Sequence, residues 1–91
     1  MEKQWQLYIL RCGDGTLYTG IAVDARKRLA VHRSGRGAKY TRGRGPLEMV
    51  YCESGLTHSE ALRREAALKR LPREEKKRLI AGVRNNVSLE K

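Results

Sequence analysis

Phenylalanine is missing from this 91-residue chain, and other aromatics are few: Trp5 and four tyrosines. The core must therefore be built from these and from leucine, isoleucine and valine. Cysteine is scarce as well. Cys12 and Cys52 stand alone, with no metal-ligand spacing and no C-x-x-C pattern. Both read as small buried hydrophobes on strands, suited to a reducing cytosol. Long apolar runs are absent too. None approaches the ~18 residues of a membrane span. Residues 1–6 are polar and no apolar h-region follows, so no signal peptide is expected. Length leaves room for one domain over residues 1–91, with a core of about 5–82 and a frayed tail from 83.

Acidic residues are the other shortage. Ten Asp and Glu face twenty Lys and Arg, a formal net charge of +10. Such a domain is expected to meet a polyanion, nucleic acid first and an acidic membrane surface second. The plainer alternative is a basic protein that is merely soluble. The distribution favours a partner. Between Ala25 and Leu47 stand eight basic residues and no acidic one: Arg26, Lys27, Arg28, Arg33, Arg36, Lys39, Arg42 and Arg44. A 40% apolar share is too high for a disordered chain.

What is present has a clear local grammar. Residues 5–11, W-Q-L-Y-I-L-R, are apolar on both period-two faces, as in a strand covered on each side. Residues 12–16, C-G-D-G-T, are a turn with two glycines for positive φ. Residues 16–22 are rich in strand formers and complete an antiparallel hairpin. Gly20 inside that strand calls for either a close ligand backbone or a simple bulge. Asp24 is an N-cap for a helix over Ala25–Arg33, on which Arg28 and His32 stack one turn apart. Residues 35–46 carry four glycines, four basic residues and Tyr40. They read as a flexible cationic loop that tracks phosphates and offers Tyr40 to a base or sugar, or else as a solvated linker. A third strand follows at 47–53, with Leu47, Met49 and Tyr51 alternating against Glu48, Val50 and Cys52. Thr57 to Glu60 is a capping box for a helix to about residue 70. Pro72 suits the first position of a last helix, ending at Gly82.

Glu65 faces the domain from the helix that the capping box opens, among Ala61, Leu62, Leu68 and Lys69. A carboxylate so placed needs a cation, a donor or a metal. The structural alternative is a salt bridge to a nearby arginine. Tyr8, Tyr18, Arg28, His32 and Glu65 together suit phosphodiester hydrolysis. A tyrosine can accept the proton of an attacking water if a cation or base helps it. Arg28 can supply that charge, or hold charge on phosphorus oxygens in the transition state, while His32 relays the proton. A glutamate can ligate Mg²⁺ or Mn²⁺, with water and phosphate completing the shell.

On these residues the chain resembles the GIY-YIG nuclease domain family, closest to its small stand-alone bacterial members. Leu7-Tyr8-Ile9 matches the first motif and Tyr18-Thr19-Gly20 the second. Arg28 falls where the family's essential arginine lies, and His32 matches a histidine of several branches. Glu65 matches the family's metal-binding glutamate. The stretch Gly37-Ala38-Lys39-Tyr40-Thr41 is shared with the small members. The resemblance implies an α/β (α+β) fold: a small, mainly antiparallel three-stranded sheet flanked by helices. It implies a metal-dependent endonuclease acting on nucleic acid, DNA first, with no obligate protein partner. Departures are Leu7 for the leading glycine and Ile21 where many members carry lysine, which shifts the relay toward His32. Asn85 and Asn86 do not fit the spacing of the family's late asparagine. Larger relatives attach a DNA-binding domain. Substrate choice here is expected from the basic surface: Arg26, Lys27, Arg33, Arg36, Lys39, Tyr40, Arg42 and Arg44. The runner-up reading is a nucleic-acid-binding module with little or no catalysis. A third reading, docking of an acidic protein, has no specific support.

Overall fold

A computed structural model describes residues 3–86, and the side chains of residues 3–82. Strands β1 (Trp5–Arg11), β2 (Leu17–Ala22) and β3 (Glu48–Leu56) form one antiparallel sheet in the order β2-β1-β3. Helices α1 (Ala25–Arg33), α2 (His58–Arg70) and α3 (Arg73–Asn86) complete an α+β fold. The central strand is apolar on both sides because both sides are covered. Leu7, Tyr8, Ile9 and Leu10 are all buried. Tyr8 and Leu10 pack with Ala25, Leu29, Leu47 and Met49 on the α1 side. Leu7 and Ile9 pack with Val50, Tyr51, Leu68 and Ile80 under α2 and α3. Each leucine, isoleucine, valine or methionine among them contributes about 1.5–3 kcal/mol from burial.

Local signals account for the helix starts. Asp24 accepts from the Lys27 amide. Thr57 and Glu60 make the reciprocal capping pair, at 2.8 and 3.0 Å. In the hairpin turn only Gly15 takes positive φ. Gly13 serves a different need: a side chain there would run into the backbone of Gly45, and its amide donates to the Arg44 carbonyl at 2.6 Å.

Three expectations are corrected. The third strand is longer, reaching Leu56, and does not alternate regularly. Ile9 pairs with Tyr51 and Leu10 with Met49, so Val50 is an extra residue, a bulge. The bulge turns Tyr51 to the α2/α3 side while Met49 stays with α1. Pro72 lies one position outside α3: its carbonyl accepts from Glu75 and Lys76, the role of a cap. The helix also runs through Gly82 to Asn86, so the tail expected from 83 begins as helix. A glycine costs a helix about 1 kcal/mol, which continuing hydrogen bonds can outweigh. Residues 87–91 lie outside the described part.

Candidate active site

The sheet brings the two tyrosines together. Tyr18 faces the α1 side of β2, next to Tyr8 on β1, with ring centroids 6.3 Å apart. Gly20 lies directly opposite Tyr8 in the strand pairing. The β1–β2 register is continuous there, so no bulge explains the glycine. A Cβ at Gly20 would stand 2.7 Å from Tyr8 Oη and 3.0 Å from Tyr18 Cε2. Glycine is needed because the two rings occupy the space a side chain would fill.

Helix α1 lays His32 onto this pair. His32 Nε2 is 3.0 Å from Tyr8 Oη, and the imidazole meets Tyr18 edge-on at 5.2 Å. Tyr8 is 1% and His32 3% exposed. Burial pushes the Tyr8 phenol well above its ordinary range, with Tyr18 and the Glu65 charge adding to the rise and Arg28 opposing it. Burial, then the like charge of Arg28, lowers His32 below the usual histidine value. At neutral pH the pair is therefore a neutral phenol beside a neutral imidazole. Arg28 is exposed one turn before His32, and its charge is felt by both groups.

Glu65 approaches from α2, beside the buried Ala61 and Leu68. Its side chain is 22% exposed and pairs with Lys69 at 3.3 Å, a lysine 54% exposed. The arginine salt bridge on this helix belongs to the preceding residue. Arg64 binds Glu53 through Nε and Nη2 at 3.0 and 2.5 Å. Glu65 is left with an exposed lysine, a partner that a divalent cation can displace. Among the described residues no three His, Cys, Asp or Glu cluster as a full metal cage. One hard, half-open carboxylate fits Mg²⁺ or Mn²⁺, which keep several waters and take substrate phosphates as further ligands.

The basic residues separate into two groups. Arg33 donates twice to the Leu47 carbonyl, at 3.1 and 2.8 Å, and Arg44 binds Asp14 at 2.6 Å. Arg36 reaches Ser34. Arg26, Lys27, Lys39 and Arg42 are exposed, and their head groups make no hydrogen bond among the described residues. Tyr40 is exposed, 5.8 Å from the Tyr18 ring, with the Arg44 guanidinium over its face at 4.7 Å. The loop of residues 35–46 is tied down rather than loose. It contains a 3-10 turn, Lys39–Thr41, whose Thr41 is buried against His32. The sequence reading gave neither Thr41 nor Gly37 a role of its own.

Residues 4–78 match the GIY-YIG catalytic domain. The chain belongs to the GIY-YIG family. A UPF0213 protein of Oceanobacillus iheyensis is 50% identical over 80 residues, covering 88% of this chain and 93% of that one. A UPF0213 protein of Natronomonas pharaonis is 48% identical over 81 residues, 89% of this chain and 95% of its own. Two solution structures share the fold of this GIY-YIG protein. The UPF0213 protein BH0048 from Bacillus halodurans is 44% identical, with a TM-score of 0.56 over 86% of this chain and 83% of its own. The protein EF2693 from E. faecalis is 37% identical, with a TM-score of 0.62 over 100% and 99%. The family is a nuclease family, and its members commonly use divalent metals. No helix among the described residues is long and apolar enough to cross a membrane.

Proposed function

We propose that this protein is a metal-dependent endonuclease hydrolysing phosphodiester bonds in nucleic acid, with DNA the first substrate to test. The observation that carries this reading is the buried Tyr8–His32 contact, 3.0 Å, with the charges of Arg28 and Glu65 both felt at Tyr8. A phenol held neutral is a poor base alone. Bonded to a neutral imidazole it has an exit for its proton. As the attacking water gives a proton to Tyr8 Oη, the phenolic proton passes to His32 Nε2. The hydroxide oxygen then bonds to phosphorus, the opposite P–O bond breaks, and solvent protonates the departing oxygen. Tyr18, half-buried beside Tyr8, positions the water. Arg28 holds the added negative charge on the phosphorus oxygens. Glu65 would anchor Mg²⁺ or Mn²⁺, which when bound supplies charge stabilisation at phosphate oxygens.

Arg26, Lys27, Lys39 and Arg42 are the side chains best placed to follow the phosphate chain, with Tyr40 as a stacking face. Nothing in this surface reads base edges, so weak sequence preference is expected. A reducing cytosolic setting belongs to the same reading, since Cys12 and Cys52 are both free thiols. The four exposed cations also support a second reading, a binding module with little catalysis. The decisive test is nicking of supercoiled plasmid and cutting of single-stranded DNA, with Mg²⁺ or Mn²⁺ against EDTA. Metal-dependent cutting supports the enzyme. Salt-sensitive binding without cutting, on a panel that includes RNA and branched forms, supports the module.

A further inference from the structure

His32 is held from behind as well as in front. Thr41 Oγ1 lies 2.9 Å from His32 Nδ1 and donates its own proton to the Ala38 carbonyl, also at 2.9 Å. With that proton committed, the hydroxyl meets Nδ1 through a lone pair and asks it to donate. The Ala38 amide points at Nδ1 as well, at 3.3 Å, and asks for the opposite tautomer. The shorter contact is the stronger of the two. Gly37 closes the cradle: a side chain there would stand 2.2 Å from Nδ1 and 2.7 Å from Cγ of the ring. Thr41 itself is 2% exposed, so no bulk water competes for its hydroxyl.

We propose that Thr41 is a positioning residue that keeps the His32 proton on Nδ1, leaving Nε2 bare as the acceptor for the Tyr8 hydroxyl. The three-link line Tyr8–His32–Thr41 then ends on the Ala38 backbone. Thr41 belongs to the same 3-10 turn as Lys39 and Tyr40, with Arg42 next in sequence. The loop that offers cations to a phosphate chain is thus also the loop that sets the histidine's tautomer. The groups facing the ring are Tyr8 from β1, Tyr18 from β2, Arg28 from its own helix, and Gly37, Ala38 and Thr41 from the loop. Arg28 and burial both oppose a second proton, so the resting ring is neutral and its tautomer has consequences. The catalytic consequence rests on the nuclease reading, whereas the tautomer itself does not.

The test is ¹⁵N NMR of the histidine rings in the full chain at neutral pH, with neither metal nor nucleic acid present. His58, exposed against Trp5, serves as the second histidine for comparison. Wild type and Thr41→Ser are expected to carry the His32 proton on Nδ1. Thr41→Val is expected to move it predominantly to Nε2. A wild-type proton on Nε2 overturns the proposal, and so does a Thr41→Val ring that keeps Nδ1–H. The wild-type and Thr41→Ser spectra decide even if the valine variant does not fold. On a cleaved substrate, Thr41→Val is expected to lower kcat about 10²-fold with KM unchanged, and serine to restore it. A switched tautomer with unchanged kcat overturns the catalytic half. Wild type that cuts nothing counts against the nuclease reading alone.

Discussion

Two tyrosine clusters lie on opposite faces of the sheet, and they are built to opposite ends. On the α2 side, Tyr51 donates to Glu53, whose carboxylate is gripped twice by Arg64. Burial and the neighbouring carboxylate push Tyr51 up to about 12, and Arg64 holds Glu53 below the usual carboxylate range. Every charge there meets its opposite, and the cluster fastens β3 to α2. On the α1 side, Tyr8 meets a neutral imidazole, and the charged groups Arg28 and Glu65 stand around it. A closed ion pair resists change of protonation. A neutral hydroxyl–imidazole line can pass a proton on when an attacking water supplies one at the tyrosine oxygen. Adjacent residues of one helix serve the two clusters: Arg64 ties down the scaffold, and the charge of Glu65 is felt at Tyr8.

Substitutions in the two clusters should therefore separate activity from stability. The largest effect is expected at Glu65. Replacing it with alanine should lower metal-dependent nicking by about 10³-fold or more while DNA binding persists. Full-rate cutting by that variant would sink the metal role. Tyr8→Phe and His32→Ala should each cost about 10²-fold or more in kcat. Because the two act as one line, the double variant should lose little beyond the worse single one. A multiplied loss would show that they act separately.

Gly20→Ala probes the packing between the tyrosines. The added methyl collides with Tyr8 Oη, and overpacking of this kind costs about 1–3 kcal/mol. Denaturant melts should record that loss together with a fall in kcat. Arg64→Ala should behave differently. Its side chain is 44% exposed, so the pair contributes only about 1 kcal/mol, or roughly 4–8 °C in Tm. Cleavage per folded molecule should be unchanged.

The smallest effect is the pH dependence of stability, and the two clusters enter it at different points. His32 has a folded pKa below its ordinary 6.5, so the unfolded chain binds that proton first. Its contribution is complete above about pH 6.5 and is lost as pH falls from there. Glu53 is also depressed, from an ordinary 4.5, so its contribution is lost only as pH falls below that value. His32→Asn should remove the first loss and Glu53→Gln the second in melts run from pH 7 to 3. One step that both substitutions leave in place would defeat the assignment.

Most of the elements could be read from the chain because their signals are short-range. The hairpin, the Asp24 cap, the Thr57–Glu60 box and the Arg28–His32 stack each depend on residues within about one turn of each other. The same holds for the apolar faces of β1, which announced a strand covered on both sides. Glu65 was legible as an inward carboxylate from helical period alone. The irregularities were not legible. Alternation through 47–53 hid the bulge at Val50, since a bulge obeys the partner strand rather than its own side chains. The end of α3 was misplaced at Gly82 because propensity is a weak prior against continuing hydrogen bonds.

The amino-acid order on its own thus decided the strands, the caps, the excess of positive charge and the residue types available for phosphodiester chemistry. All of these follow from spacing and composition. Packing decided which atoms meet. Arg64 chose Glu53 and left Glu65 to Lys69. Thr41, nine residues past His32, became the histidine's second hydrogen-bond partner. Gly20 proved to be room for two rings rather than a bulge. Such outcomes turn on a few tenths of an ångström and on the direction of a donor, and those exist only once loops have closed and side chains have been excluded from water.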